Sequence, residues 1–232
     1  MAGNMYDGVT TVNPLGGFCD YCSYCSSFAL RKRWGACKKK YSGYYRLYES
    51  ELKKSWGKNK QIFVCGQMDL FHRRVWDGFI ERILEKARNS SPSNLYMFQT
   101  KNPKRFHDWL DKFPENSMLG TTMETNRISI TSKYSRAPHP YLRADALRKI
   151  EILPTYVTIE PIMDFHHDSF PKLIRAARPD KVFIGADSKG NNLPEPELWK
   201  VESLIKDLKD FTEVELKSNL FKRYPELEGL YG

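Results

Sequence analysis

Short apolar runs alternate with amphipathic helix patterns from residue 60 of this 232-residue chain onward, and this alternation constrains the fold more than any other feature. The apolar runs cover residues 62–65, 95–98, 118–120, 156–159, 181–184 and 213–216. Apolar residues recur at helical spacing between them, over residues 79–87, 106–113, 170–177 and 198–208. Runs of this kind are typical of strands that are covered on both faces. The sequence therefore predicts repeated βαβ units and an α/β fold.

Polar and charged residues follow these predicted strands directly. They are Gly66, Gln67, Met68 and Asp69, then Thr100 and Lys101, then the segment 121–127, and finally Glu160, Asp187 and Lys217. Barrels and open sheets of the α/β class place ligands at the carboxyl ends of their strands. We therefore expect a shared pocket there, whereas the alternative for each residue is an ordinary loop position, a helix cap or a surface ion pair.

Composition indicates an ordinary globular protein, with 41% hydrophobic and 28% charged residues. We expect a single domain over residues 1–232. No apolar run approaches the roughly 18–20 residues that span a bilayer, so we predict no membrane association. Residues 1–13 do not combine a basic start with an apolar stretch, so we predict no signal peptide. The expected location is cytoplasmic, where thiols stay reduced.

The positive charge is concentrated in residues 31–60. This segment holds eleven Lys and Arg against two acidic residues, which equals the formal charge of +9 on the whole chain. Six Trp and Tyr side chains are interspersed in it. Basic charge with interleaved aromatics is typical of surfaces that follow a phosphate backbone and stack on bases. The segment therefore predicts a basic, aromatic-rich insertion with a nucleic-acid partner, and the alternative is a solvated face of lysines over core aromatics.

Three cysteines, Cys19, Cys22 and Cys25, lie within seven residues, whereas Cys37 and Cys65 stand apart. An odd number of cysteines argues against a disulfide framework, and the close triplet favours a metal site over three unrelated core residues. One interpretation is a structural zinc site with Cys37 as the fourth ligand. The other is an iron–sulfur cluster on three thiolates, with one iron left open. Thiolate ligands suit both.

Several segments together resemble the radical S-adenosylmethionine (radical SAM) superfamily, and within it the phage-type or three-Cys-motif proteins. These segments are residues 13–17 before the cysteines, Tyr24 beside the last cysteine, residues 62–71, the Thr-Lys-Asn-Pro-Lys-Arg of residues 100–105, residues 119–127 with Glu124 and Asn126, and residues 159–161. The superfamily usually has C-x3-C-x2-C, whereas this chain has C-x2-C-x2-C.

The resemblance implies a partial (β/α) barrel, related to the TIM barrel, of about six or seven parallel strands with helices outside. It implies a 4Fe-4S cluster on Cys19, Cys22 and Cys25, with S-adenosylmethionine bound at the open iron. Reductive cleavage of this cofactor gives a 5′-deoxyadenosyl radical. The role of the protein is to bind and orient the cofactor and the substrate. An electron donor such as flavodoxin or ferredoxin is implied too. The cofactor contacts that the resemblance implies are Tyr24, Gly66, Gln67, Met68, Asp69, Glu124 and Asn126. Further candidates for cofactor binding, chosen because they lie at strand ends, are Thr100, Lys101, Arg127, Glu160 and Lys217.

The leading hypothesis is thus a radical SAM enzyme whose substrate the sequence does not identify. Two alternatives stay open. One is a nucleic-acid-binding module with a structural zinc. The other is a radical SAM scaffold without catalysis that acts through a partner protein.

Overall fold

The computed structural model describes residues 8–25, 27, 30 and 35–232. Within this part of the chain, seven strands form one sheet, and their order in the sheet is their order in the sequence. They are β1 (Thr10–Val12), β4 (Gln61–Val64), β5 (Leu95–Thr100), β6 (Ser117–Thr122), β7 (Thr155–Ile159), β8 (Lys181–Ile184) and β9 (Glu213–Leu216). A separate antiparallel pair consists of β2 (Leu15–Gly16) and β3 (Arg46–Leu47).

Strand pairing in the large sheet is parallel, as in β1 with β4, β4 with β5, β7 with β8, and β8 with β9. Parallel neighbours need a crossover connection, which is usually a helix. The strand order never reverses, so the sheet has no switch point of the doubly wound kind, and sequential order is the rule in barrel folds. The predicted α/β fold with six or seven parallel strands is confirmed.

All six predicted apolar runs correspond to strands, and most residues of five of these strands are buried, whereas no residue of β9 is. All five residues of β7 are buried, as are three of the four residues of β4 and of β8. The sequence pattern missed β1, since Thr-Thr-Val offers only one strongly apolar side chain. Its pairing partner β4 supplies the apolar surface instead, with Thr10 opposite Ile62 and Val12 opposite Val64.

Helices in the described residues are Ala36–Lys40, Glu49–Lys53, Asp77–Arg88, Ile128–Tyr134, Pro140–Leu147, Phe170–Ala177, Leu198–Lys209, Ser218–Arg223 and Glu228–Tyr231. Two further segments, Pro103–Lys112 and Pro225–Leu227, are 3₁₀ helices. Three of the four predicted helices are confirmed. The fourth, over residues 106–113, is wrong in type, since this segment lies largely in the first 3₁₀ helix. No helix among the residues described has the length and apolar character required to cross a bilayer.

The chain divides into two compact units, residues 1–119 and 120–232. In the first unit, the helix Asp77–Arg88 buries one apolar face, and a cluster of phenylalanines packs edge-to-face, with the rings of Phe71 and Phe106 4.8 Å apart. In the second unit, the helix Leu198–Lys209 buries one apolar face and contacts β9 and the helix Phe170–Ala177. The expected single domain over residues 1–232 stays a prediction.

The basic segment 31–60 lies in the first unit, and its residues 31–34 are outside the described part. The remainder forms the helix Ala36–Lys40, strand β3 and the helix Glu49–Lys53. Strand β3 pairs with β2, which directly precedes the cysteines. The basic segment therefore packs beside the start of the cysteine-rich loop.

Candidate functional site

The chain turns sharply where β4 ends, and this turn places residues 66–69 at the carboxyl edge of the sheet. Cys65 has a positive φ of 61°, and its N–H donates to the Val12 carbonyl at 2.8 Å. Gly66 is required by close packing, because a Cβ atom there would lie 2.7 Å from the Phe63 ring. The Gln67 N–H donates to the Asn13 side chain at 3.0 Å. The ends of β1 and β4 therefore hold this loop together.

Asp69 ties the β4 loop to the end of β5. Its carboxylate accepts hydrogen bonds from the Thr100 hydroxyl at 2.6 Å, from the Lys101 N–H at 2.9 Å and from the Phe71 N–H at 3.0 Å. Burial raises the pKa of the Asp69 carboxyl, although the hydrogen bonds from Thr100 and Lys101 favour its charged form. Thr100 and Asp69 thus support the shape of this edge, and their predicted cofactor contacts stay predictions.

The three cysteines of the triplet lie near one another and near Asp69. None of the three is in a disulfide; Cys22 is buried, and Cys19 and Cys25 are partly exposed. Burial and the Asp69 carboxylate raise the pKa of the Cys19 thiol, and the neighbouring Cys25 and Cys22 thiols raise it further. The Cys19 thiol therefore lies within electrostatic reach of Asp69 and of the other two cysteines.

Side-chain contacts fasten the cysteine loop to the ends of β4 and β5. Lys101 Nζ donates to the Tyr24 hydroxyl at 3.0 Å, and the Ser27 hydroxyl donates to the Gln67 carbonyl. Arg74 donates to the Phe18 carbonyl at 3.4 Å. Residues 19–25, predicted as the metal-binding segment, therefore lie over the carboxyl edge of the first unit, where α/β folds bind ligands.

A histidine that the sequence analysis did not select supports the same loop. His72 is fully buried, and its Nε2 atom lies 2.9 Å from an Asp20 carboxylate oxygen. Burial disfavours the charged form of Asp20, but the hydrogen bond from His72 and the charge of Arg74 hold the pKa of Asp20 below its usual value. Only its position in the sequence pointed to His72, which follows Asp69 by three residues in the loop after a strand.

The donor chemistry of this site fits an iron–sulfur cluster. Three thiols outside any disulfide, on a loop outside any long helix or strand, supply the right ligand type. Two buried polar atoms beside the loop, the Tyr45 hydroxyl and Gln67 Oε1, have no hydrogen-bond partner among the described residues. A bound group that reached them would satisfy both. In the described part of the chain, no three His, Cys, Asp or Glu side chains converge as a ready metal site.

Cys37 lies outside the cysteine loop, on the helix Ala36–Lys40, where its thiol affects the pKa of Tyr41 and of Lys40. Burial, followed by the Cys37 and Cys65 thiols, raises the pKa of Tyr41 to about 12. The zinc site that uses Cys37 as a fourth ligand stays a prediction.

Polar residues of the second unit also gather at strand ends, beginning after β6. Glu124 and Arg143 form an ion pair at 3.1 Å, and both are almost completely buried. Arg143 also donates to the Thr122 carbonyl at 2.9 Å. The Asn126 side chain donates to the Ser169 hydroxyl at 2.8 Å. The two residues predicted to contact the cofactor in this segment thus have structural partners, and Arg143 was not predicted at all.

Arg127, another predicted contact, is paired with Asp164. Asp164 also accepts a hydrogen bond from Lys200 at 2.7 Å. Burial would raise the pKa of Asp164, but the two cations hold it below its usual value. A ligand that used Arg127 would have to compete with this carboxylate.

Glu160, after β7, and Lys217, after β9, form an ion pair at 2.5 Å. Asn219, which the sequence analysis missed, donates to Glu160 at 2.6 Å and to the Ala186 carbonyl at 2.9 Å. Gly185 makes room for these contacts, because a Cβ atom there would lie 2.8 Å from Asn219 Oδ1. We call Glu160, Lys217 and Asn219 the strand-end clasp.

Sequential parallel strands with polar residues at their carboxyl ends define the class, an α/β protein of the partial-barrel type. A solved structure of a cysteine-to-alanine variant of spore photoproduct lyase with a dinucleoside spore photoproduct is similar at a TM-score of 0.61 and 11% identity, over 89% of this chain and 76% of that chain. A cysteine-to-serine variant of that lyase is similar at a TM-score of 0.58 and 11% identity, over 94% and 81% of the two chains. The α/β fold is therefore similar to that of this lyase. Residues 3–224 match the family described as "Protein of unknown function (DUF5131)", and the chain belongs to this family. A comparison with curated proteins gave no match.

Proposed function

We propose that this protein is a radical SAM enzyme. The observation that carries the proposal is the placement of three thiols, none of them in a disulfide, on a loop held over the carboxyl edge of a sheet whose fold is similar to that of spore photoproduct lyase. Cys19, Cys22 and Cys25 would hold a 4Fe-4S cluster, and bound S-adenosylmethionine would supply a 5′-deoxyadenosyl radical for hydrogen abstraction.

Other residues of the chain would bind and orient the cofactor and the substrate. Gln67 has a buried amide oxygen without a hydrogen-bond partner among the described residues. This oxygen is suited to accept a hydrogen bond from a donor group of the cofactor. Lys101, held against the Tyr24 ring and hydroxyl, places a positive charge beside the loop and suits a carboxylate. In the second unit, Glu160 and Lys217 offer one charge of each sign at the strand ends.

Metal analysis tests this proposal directly. Protein purified and reconstituted without oxygen is expected to be brown and to contain about four irons and four sulfides per chain. S-adenosylmethionine is expected to change the electron paramagnetic resonance spectrum of the reduced cluster. A colourless protein with one tightly bound zinc would contradict the proposal and support the structural-zinc alternative. A brown protein that binds the cofactor but never cleaves it would support the scaffold alternative.

We further propose a nucleic-acid substrate or partner for the basic segment. Lys38 and Lys39 are exposed on the helix Ala36–Lys40, whose last carbonyl accepts a hydrogen bond from the Gly17 N–H at 2.8 Å. Tyr44 is 93% exposed and is able to stack on a base. One of the similar lyase structures contains a dinucleoside photoproduct, which supports a substrate of this class.

Not every residue of the segment is free for such a role. Lys40 is mostly covered and lies 3.9 Å from Glu51 and over the Tyr48 ring. Tyr41 and Trp56 are core residues, as the solvated-face alternative requires. Lys53 and Lys58 line a separate groove of about 740 Å³ before β4, at the amino edge of the sheet. The basic charge is thus divided between the two edges.

Replacing Lys38 and Lys39 together by alanine is expected to weaken binding of single-stranded DNA or RNA for all sequences alike. Each neutralised phosphate contributes about −0.7 to −0.9 to the slope of log K against log salt, so the slope should become shallower by about 1.4–1.8. Fluorescence anisotropy across a salt series measures this. The charge-matched control is Lys53→Ala with Lys58→Ala, which removes the same charge from the other edge.

A smaller effect in the control would place the nucleic acid beside the cysteine loop. Equal effects of the two double variants would indicate unspecific attraction. No binding by the wild type at about 50 mM salt would contradict the nucleic-acid proposal and leave a peptide or small-molecule substrate.

A further inference from the structure

The two residues between Cys19 and Cys22 both pack on one buried side chain. Asp20 lies 2.9 Å from His72 Nε2, and the Tyr21 ring lies 4.1 Å from the His72 ring, centre to centre. The Tyr21 hydroxyl also accepts a weak hydrogen bond from the Arg73 N–H at 3.5 Å. The entire spacer between the first two cysteines is therefore positioned by His72 and its neighbour.

His72 itself is held in a fixed orientation. Its backbone N–H donates to the Asp69 carbonyl at 3.2 Å, and its own carbonyl accepts from Arg105 at 2.5 Å. The ring atom Nδ1 accepts from the Arg74 N–H at 3.2 Å. Since Nδ1 accepts, a neutral ring carries its proton on Nε2 and donates it to Asp20. Burial lowers the pKa of His72 and keeps the ring neutral.

We infer that His72 is a positioning residue that sets the geometry of Cys19 and Cys22 as cluster ligands by holding Asp20 and Tyr21. The inference rests on the proposed function. Both residues of the short C-x2-C spacer contact His72 or its neighbour, so the loss of His72 would release the loop between the two cysteines. Partners that orient metal ligands in this way typically change metal affinity by roughly 10–100-fold when they are removed.

The test compares His72→Phe with the wild type and with His166→Phe, which makes the same replacement at an exposed histidine of the second unit. The phenylalanine keeps a ring against Tyr21 but removes the hydrogen bond to Asp20. We expect His72→Phe to lose iron to a chelator roughly 10–100-fold faster. We also expect a changed electron paramagnetic resonance signal of the reduced cluster, whereas His166→Phe matches the wild type.

Variants of Asp20 test the same contact with less risk of misfolding, because the Asp20 side chain is partly exposed whereas His72 is buried. Asp20→Asn keeps an oxygen that accepts from Nε2, so it should retain iron nearly as well as the wild type. Asp20→Leu removes the acceptor and should resemble His72→Phe. The double variant Asp20→Leu with His72→Phe should be no worse than either single variant if the two residues act as a unit.

The outcomes separate the two proposals. A wild-type protein without an iron–sulfur cluster overturns the proposed function itself. A wild type with a cluster, alongside Asp20→Leu and folded His72→Phe proteins with unchanged iron release and unchanged spectra, overturns only the positioning role. If His72→Phe does not fold, the comparison of Asp20→Leu with Asp20→Asn decides.

Discussion

Replacing Cys19, Cys22 or Cys25 singly by alanine is expected to abolish cluster retention, whereas Cys37→Ala and Cys65→Ala should retain it. Three thiolates bind three of the four irons and leave one open for the cofactor, so the loss of any one of them leaves a second iron without a protein ligand. Cys65 has a different role. It is buried in the first unit at the turn after β4, outside the cysteine loop, and its N–H donates to the Val12 carbonyl at 2.8 Å.

Iron and sulfide analysis of the five reconstituted variants measures this prediction, with circular dichroism as the control for folding. Serine replacements at the same five positions add a closer match in size. Equal loss of iron in Cys37→Ala and Cys22→Ala would show a four-cysteine site. The open-iron mechanism would then be wrong.

Glu124→Ala is expected to destabilise the fold strongly. Glu124 and Arg143 are both nearly inaccessible and are paired at 3.1 Å, so the alanine would leave a buried guanidinium without its carboxylate. Removing one member of a buried ion pair costs about 3–5 kcal/mol of the free energy of unfolding. This differs from what the sequence resemblance predicts, namely weaker cofactor binding in an otherwise intact protein.

Denaturant unfolding of Glu124→Ala and Glu124→Gln measures the difference. The glutamine keeps a side-chain oxygen for Arg143 and should recover part of the loss. Calorimetry with S-adenosylmethionine on folded Glu124→Gln then tests the cofactor contact separately. An alanine variant as stable as the wild type, with reduced cofactor affinity, would contradict the structural role and restore the predicted contact.

Strand positions were predictable because each strand of the sheet after β1 carries its signal locally. β4 and β7 are short, nearly continuous apolar runs, and their burial follows from that composition. The segment Pro103–Lys112 shows the limit of such reasoning. Its apolar residues recur at helical spacing, yet the backbone forms a 3₁₀ helix, and the Asn102 side chain donates to the Phe71 carbonyl at 3.1 Å instead of capping the helix.

The site was predictable in position but not in its internal pairing. The cysteine triplet and the polar strand ends stand out in the sequence, because their residue types are unusual for those places. His72 and Arg143 do not stand out, since a single histidine or arginine has no distinctive local pattern. Their partners Asp20 and Glu124 lie 52 and 19 residues away, and only the folded chain brings them together.

The strand-end clasp has a consequence for association with other chains. β9 is the last strand of the sheet, and an edge strand offers unpaired backbone groups to any extended chain that approaches. Lys217 and Asn219, just beyond β9, are fastened to Glu160 across β8, and Lys181 pairs with Glu213 and Glu215 along β9 itself. Fraying of this strand would break all of these contacts together. The clasp is therefore expected to oppose fraying of β9, which is the step that exchange of this strand with another chain would require.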